Sequence, residues 1–138
     1  MNISDFKNPF FIGVAGVGMS AIAQYLQGIG KNVSGSDRYF HPDEYNKTKE
    51  QLENEGIKCF LQDGSGITAE TDLVVVSTAI EDTVYEVKKA KELGIPIIKR
   101  SQLLAMIAKS KKTVAVAGTS GKSTTSAMLF QILLDAGL

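Results

Sequence analysis

The chain has one cysteine and one histidine, and its charges cancel: fifteen lysines and arginines against fifteen aspartates and glutamates. A lone Cys59 excludes an internal disulfide and suits a reducing compartment. With no histidine-bearing motif near it, Cys59 reads as a small thiol on a strand rather than a nucleophile. A lone His41 rules out any multi-histidine metal site, and its place beside Pro42 marks a surface loop. Zero net charge argues against a nucleic-acid partner or a membrane patch, because both need a basic surface. No uninterrupted apolar run approaches the length that spans a bilayer. Internal repeats and low-complexity segments are also missing. The apolar stretch near the start is interrupted by glycines and preceded by Asp5, which argues against an export signal. The expected location is the cytoplasm.

What is present is a 138-residue chain of ordinary hydrophobic content, 43%, long enough for one domain and part of another. Its most informative early stretch runs from Phe10 to Asp37. Phe10–Val14 is a charge-free apolar run, the pattern of a strand buried on both faces. Gly16, Gly18 and Ala21 then fit G-x-G-x-x-G/A. One glycine makes the turn, one lets backbone approach a ligand, and a small residue allows helix-to-strand packing. Met19, Ile22, Ala23, Leu26 and Ile29 recur at helical spacing up to Gly30. Val33–Ser36 reads as a second strand closing on Asp37, 21 residues beyond Gly16, where dinucleotide-binding folds place an acid near a ribose hydroxyl. A helix N-terminus behind Gly18 offers N–H groups and a positive dipole end to a diphosphate. The nucleotide itself stays open at this point.

Further along, His41-Pro42 breaks the chain, and Asp43 is a plausible cap for a charged helix carrying Tyr45, Thr48 and Leu52 and ending at Gly56. Ile57–Leu61 and Leu73–Val76 read as strands, the latter the clearest central one. Ser77, Thr78, Ala79 and Ile80 follow at its carboxyl end, where open α/β sheets bind ligands. Asp82 or Thr83 caps the next helix, with Val84, Val87, Ala90 and Leu93 inward and Lys88, Lys89 and Lys91 on a solvated face. Ile95–Ile98 forms a further strand. Ser101 caps a helix that buries Leu103, Leu104 and Ile107. This alternation predicts an α/β fold, a Rossmann-like doubly wound and mostly parallel sheet.

The sharpest motif comes last. Thr113–Ala117 reads as a buried strand running into Gly118, Thr119, Ser120, Gly121, Lys122, Ser123 and Thr124, with an apolar helix behind. Such a loop points successive N–H groups into one concavity; its lysine meets the outer phosphates and a hydroxyl, here that of Ser123, ligates Mg²⁺. ATP or GTP binding follows. The common spacing would want glycine where this chain has Val116, which points to a shorter variant of the loop. With the chain stopping at Leu138, the triphosphate domain is expected to be only begun.

The segments GVAGVGMSAIAQYL, VSGSD, DLVVVSTAI, IPIIKRSQLLA and VAVAGTSGKSTTSAM, in that order, resemble the Mur ligase family over nearly the whole chain. The resemblance implies a UDP-sugar-binding domain over residues 1–109 and the first strand, loop and helix of a central ATPase domain over 110–138. Gly16, Val17, Gly18 and Met19 would meet the diphosphate and Asp37 the ribose or uracil. Ser77, Thr78 and Ala79 would line the same cleft, and Arg100 is a candidate phosphate contact. Gly118 to Thr124 would bind ATP, with Lys122 catalytic and Ser123 on Mg²⁺. The implied chemistry is ATP-dependent amide formation through an acyl phosphate, joining an amino acid or peptide to UDP-N-acetylmuramate in peptidoglycan synthesis. The amine substrate would bind domains outside this chain, leaving this piece inactive alone.

The chain departs from the family's usual pattern at Ser120 and Ser123, where histidine and threonine are common. It also departs at Thr83-Val84-Tyr85, where Asn-Pro is usual. A paralogue, or a ligase that reuses a released peptide, fits the same residues. Two other classes remain compatible with parts of the sequence: an NAD-dependent dehydrogenase domain, which leaves the lysine loop unexplained, and a non-catalytic nucleotide sensor.

Overall fold

A computed structural model describes residues 1–77 and 84–138. Five parallel strands form one sheet in the order β3-β2-β1-β4-β5: β1 (Pro9–Ile12), β2 (Ser34–Asp37), β3 (Lys58–Leu61), β4 (Leu73–Val76) and β5 (Ile97–Lys99). Every pairing is parallel, with Ile12 opposite both Ser36 and Val76. The helices are α1 (Val17–Gly28), α2 (Lys47–Asn54), α3 (Tyr85–Glu92), α4 (Arg100–Ser110) and α5 (Lys122–Asp135).

The doubled apolar run at Phe10 and Phe11 explains the two-sided sheet, since successive strand residues face opposite ways. Phe11, Leu73 and Val75 pack with Met19, Ile22, Ala23 and Leu26 of α1, Leu52 of α2 and Leu103 of α4. Phe10, Ile12 and Val74 pack with Val87 and Ala90 of α3, and with Ile67 and Ile95. Burial of each such side chain contributes about 1.5–3 kcal/mol. No helix bridges β3 and β4. Ile67, 1% exposed, covers the sheet there, and Gly66 lies so close to the Phe10 and Phe60 rings that a Cβ would fall within 2.5–2.8 Å of them.

Several local expectations shift. The first strand ends at Ile12 because Gly13, at φ 83, starts the turn two residues early. Asn46 rather than Asp43 caps α2, its side chain accepting from Lys49 N at 3.0 Å, and Tyr45 stays outside the helix, exposed. Lys99 rather than Ser101 precedes α4, where Gln102 Oε1 accepts from Lys99 N at 2.8 Å. Leu104 is exposed because only its neighbour Leu103 turns toward the sheet. Leu93 is exposed too: α3 has ended there, the chain turns at Gly94, and Ile95 takes the buried place. Lys89 leaves the solvated face to donate to Gly64 O at 2.6 Å. The capping residues Asp82 and Thr83 lie outside the described residues.

Thr113–Ala117 is not a strand. A strand exists by pairing, and among the described residues none pairs with this segment, whose backbone is irregular. Beyond it α5 stands with Met128, Phe130, Ile132 and Leu134 exposed. No helix among the described residues is long and apolar enough to cross a membrane.

Candidate functional site

Strand order places β1 and β4 side by side while the chain leaves them in opposite directions, toward β2 and β3 on one side and β5 on the other. Loops leaving the carboxyl ends of such a pair diverge, and a crevice opens between them. The glycine turn fills the β1 side of that crevice. Ser36 O accepts from both Gly13 N at 2.8 Å and Val14 N at 3.0 Å, bending the chain back over the end of β2. Asp37, 5% exposed, completes the anchor: its Oδ2 accepts from Ala15 N at 2.9 Å and its Oδ1 from Tyr39 N at 3.0 Å.

Gly35 makes this fold-back possible, because a Cβ there would lie 2.7 Å from Phe11 O and 2.8 Å from Val14 Cβ. Its signal in the sequence is a glycine inside a strand pattern, which often marks close backbone approach.

Gly16 is the N-cap of α1, and Met19 N and Ser20 N both donate to its carbonyl, at 2.9 and 2.8 Å. The N–H groups of Val17 and Gly18 therefore head the helix without an intrahelical acceptor. Val17 is 88% exposed, whereas Met19 sends its side chain into the core. Above Gly18 lies the guanidinium of Arg100, the first residue of α4: a Cβ on Gly18 would sit 2.5 Å from Arg100 Nη1. The loop and the arginine, 82 positions apart in sequence, are thus one locus. A cation beside exposed N–H groups at a helix start is a place for an anionic oxygen.

A cavity of about 260 Å³ opens beside them, lined by Gly13, Ala15, Gly16, Asp37, Gln62 and Ser77, together with Arg38 and Tyr39. Of the expected cleft residues, Gly16, Asp37 and Ser77 meet here; Thr78 and Ala79 lie outside the described residues. Arg38 and Tyr39 were not anticipated. Arg38 stacks 4.8 Å over the Tyr39 ring and donates to its hydroxyl at 2.8 Å. Nor were Ser36 and Glu86, both fully buried at the carboxyl end of β2 and the first turn of α3. An acid four positions before buried Ala90, hence on its face of α3, was the only cue for Glu86.

A larger hollow, about 410 Å³, lies at the opposite ends of the strands among Asn8, Asn32, Lys58 and Thr71. Its amides are already engaged, Asn32 Nδ2 with Asn8 Oδ1 at 2.8 Å and Asn8 Nδ2 with Glu70 O at 2.9 Å. The strand order favours the smaller cavity.

The lysine loop is built separately. Gly121, at φ 71, is the N-cap of α5, so Lys122 and Ser123 occupy the first turn. A left-handed residue there is easiest for glycine. Lys122 Nζ donates to Gly118 O at 2.7 Å, folding the side chain over its own loop, and residues 118–124 are exposed. A helix N-terminus headed by lysine and serine fits the phosphates and the metal of a nucleoside triphosphate.

Cys59 sits half-buried on β3, and burial pushes its thiol up to about 12. That excludes it as a nucleophile at neutral pH. His41 is exposed in its loop.

Comparison with known proteins now bears on this geometry. The model of the Mur ligase family, catalytic domain, matches residues 10–112. The chain belongs to the Mur ligase family. Curated relatives include the UDP-N-acetylmuramate–L-alanine ligase of Dichelobacter nodosus, 39% identical over 96% of this chain and 27% of its own length. That of Syntrophomonas wolfei is 42% identical over 91% of this chain and 26% of its own. This Mur ligase chain thus spans about a quarter of the length of those relatives. Among solved structures, the UDP-N-acetylmuramate–alanine ligase of Thermotoga maritima superposes with a TM-score of 0.79 at 30% identity, covering 91% of this chain and 29% of that one. A murein peptide ligase from Psychrobacter arcticus gives 0.83 at 29% identity, over 95% and 27%.

Proposed function

We propose that residues 1–109 of this Mur ligase chain bind the UDP part of a UDP-sugar, within an ATP-dependent UDP-N-acetylmuramate–amino acid ligase of peptidoglycan synthesis. The observation that carries this reading is the Arg100 guanidinium lying over Gly18 at the head of α1. Val17 N, Gly18 N and Arg100 converge there on one anionic group, and the adjoining cavity accepts the nucleoside. Relatives whose names specify UDP-N-acetylmuramate add support.

In this reading the diphosphate docks on the glycine turn and Arg100 neutralises it. Asp37 holds the turn through Ala15 N and retains a lone pair on each oxygen for a ribose hydroxyl. The loop from Gly118 to Thr124 holds ATP, with Lys122 swinging from Gly118 O to the outer phosphates and Ser123 ligating Mg²⁺. ATP would supply the phosphoryl group that activates the sugar carboxylate as an acyl phosphate, and the amine of an amino acid or peptide would attack the acyl carbon and release phosphate as the amide forms. Positioning and charge neutralisation carry such a step. The amine is held by residues beyond this chain, which alone forms no amide bond. Nucleotide substrates place the enzyme in the cytoplasm.

Titrating the chain calorimetrically with UDP-N-acetylmuramate, with NADH in a parallel cell, tests the reading. Saturable binding of the UDP-sugar that is lost in Gly18→Leu supports it. Heat from NADH alone overturns it in favour of a dehydrogenase domain.

A further inference from the structure

The hollow at the amino ends of the strands, about 410 Å³, has the volume of a small-molecule site, for which about 300–1,000 Å³ is usual. It opens on the α3 face of the sheet, where loop rather than helix joins β3 to β4. Lys58 and Phe60 lie two positions apart on β3 and so share that face, and Ser34 stands beside Lys58 on β2; all three line the hollow. Another wall is loop held by its own bonds: Thr71 Oγ1 accepts from Thr68 N at 3.2 Å, and Thr68 Oγ1 from Glu70 N at 3.3 Å. Asn32 Nδ2 and Gln27 Oε1 are spent on Asn8 and Val33, but each amide keeps a second end, Asn32 Oδ1 and Gln27 Nε2, with no bond among the described residues. Lys58 and Glu70 bring opposite charges to the hollow, and among the described residues neither side chain has an ion pair or a hydrogen bond.

We propose that this hollow is a second ligand site, separate from the nucleotide crevice, and that it takes a free α-amino acid with an apolar side chain. The ammonium of Lys58 pairs with the ligand's carboxylate, and the carboxylate of Glu70, joined by Asn32 Oδ1, takes the ligand's ammonium. A simple anion satisfies Lys58 but meets the like charge of Glu70, and a simple cation meets the reverse. A zwitterion answers both. Gln27 Nε2 is a further donor for the carboxylate, and the half-buried Phe60 ring, beside Val33, receives the apolar side chain. Pairing with exposed charges is weak by itself. Here the amides and the loop are already fixed by their own bonds, so little ordering is left for the ligand to impose. The site lies at the opposite end of the sheet from the glycine turn, and the inference stands apart from the UDP reading.

The probe is L-leucine, titrated into the isotopically labelled chain and followed through its backbone amide signals by two-dimensional NMR. Saturable shifts at Lys58, Thr68 and Thr71, half-complete at about millimolar concentration and absent from Gly16 and Gly18, are expected. Two analogues separate the charges: isocaproate lacks the ammonium and isoamylamine lacks the carboxylate, and each is expected to bind about fivefold more weakly. Lys58→Met and Glu70→Gln change exposed side chains and leave the core intact, and each is expected to weaken L-leucine about fivefold. Glu70→Gln is also expected to strengthen isocaproate while weakening L-leucine, a reversal that a merely structural role does not produce. No saturable shift at the hollow, shifts centred on the glycine turn, or L-leucine binding unchanged in both variants overturns the site. Binding of isocaproate or isoamylamine as tight as that of L-leucine overturns the amino-acid class.

Discussion

The carboxylate of Asp37, at the end of β2, accepts a hydrogen bond from the backbone N–H of Ala15 at 2.9 Å and so pins the glycine turn from a neighbouring strand. Removing it leaves a part-buried N–H unsatisfied and releases Tyr39 N as well. Asp37→Ala is expected to cost about 1–3 kcal/mol in urea unfolding and to weaken UDP binding in the same variant. Unchanged stability would show that the turn holds its shape without the acid.

Gly18 and Gly35 are both crowded, but by different atoms. On Gly18 the obstacle is the flexible end of Arg100, so Gly18→Ala is expected to fold normally while displacing the guanidinium, lowering UDP affinity about tenfold. Arg100→Ala is expected to match it at about tenfold to a hundredfold, since a hydrogen bond to a charged group is worth about 1.5–3 kcal/mol.

On Gly35 the obstacles are Phe11 O at 2.7 Å and Val14 Cβ at 2.8 Å, a backbone atom and one bonded directly to backbone, so neither can swing aside as a side-chain end does. Gly35→Ala is expected to lower stability by about 1–3 kcal/mol through overpacking. Gly16→Ala, whose Cβ would meet nothing nearer than 3.4 Å, should cost less than about 1 kcal/mol. Equal urea midpoints for the two variants would contradict the packing at β2.

Burial raises the Glu86 carboxyl above its ordinary range, so the folded chain holds this proton more tightly than the unfolded one. Its contribution to stability is complete below the unfolded carboxyl value and is lost as pH climbs through the higher native value. Glu86→Gln does not ionise, and its urea midpoint is expected to fall less between mildly acid and neutral pH than that of the unmodified chain. Parallel curves for the two proteins would exclude the effect.

With its thiol pushed to about 12, Cys59 is almost wholly protonated at neutral pH. Reaction with a disulfide reagent is expected to be at least about a hundredfold slower in the native chain than in urea. Equal rates would mean that β3 opens freely.

Phe10-Phe11 and Leu73–Val76 announced a two-sided parallel sheet because apolar runs of that length have few other homes, and the spacing from Gly16 to Asp37 carried the first crossover. The four described pairings of the order β3-β2-β1-β4-β5 follow from that alternation only once the sheet is assembled. Ends of elements were less legible, since Asn46 and Lys99 won their capping places by local geometry that several neighbours could have supplied. Thr113–Ala117 failed as a strand because pairing depends on a partner and not on its own β-branched residues. In the candidate site, Gly16, Asp37 and Ser77 stood out through motif and position. Glu86, Ser36 and Gln62 did not, because polar side chains from three separate elements acquire their meaning only when the fold brings them together.

The turn that presents Val17 N and Gly18 N is held from outside by Ser36 O and Asp37 and from within by the buried Val14 side chain. Val17 is exposed, so its side chain is not needed to maintain the loop, whereas Ala15 packs its methyl against the core beside Val14. Substitution at Val17 therefore changes the surface at the head of α1 without remaking the scaffold, which leaves that position open to divergence while the strand beside it preserves the fold.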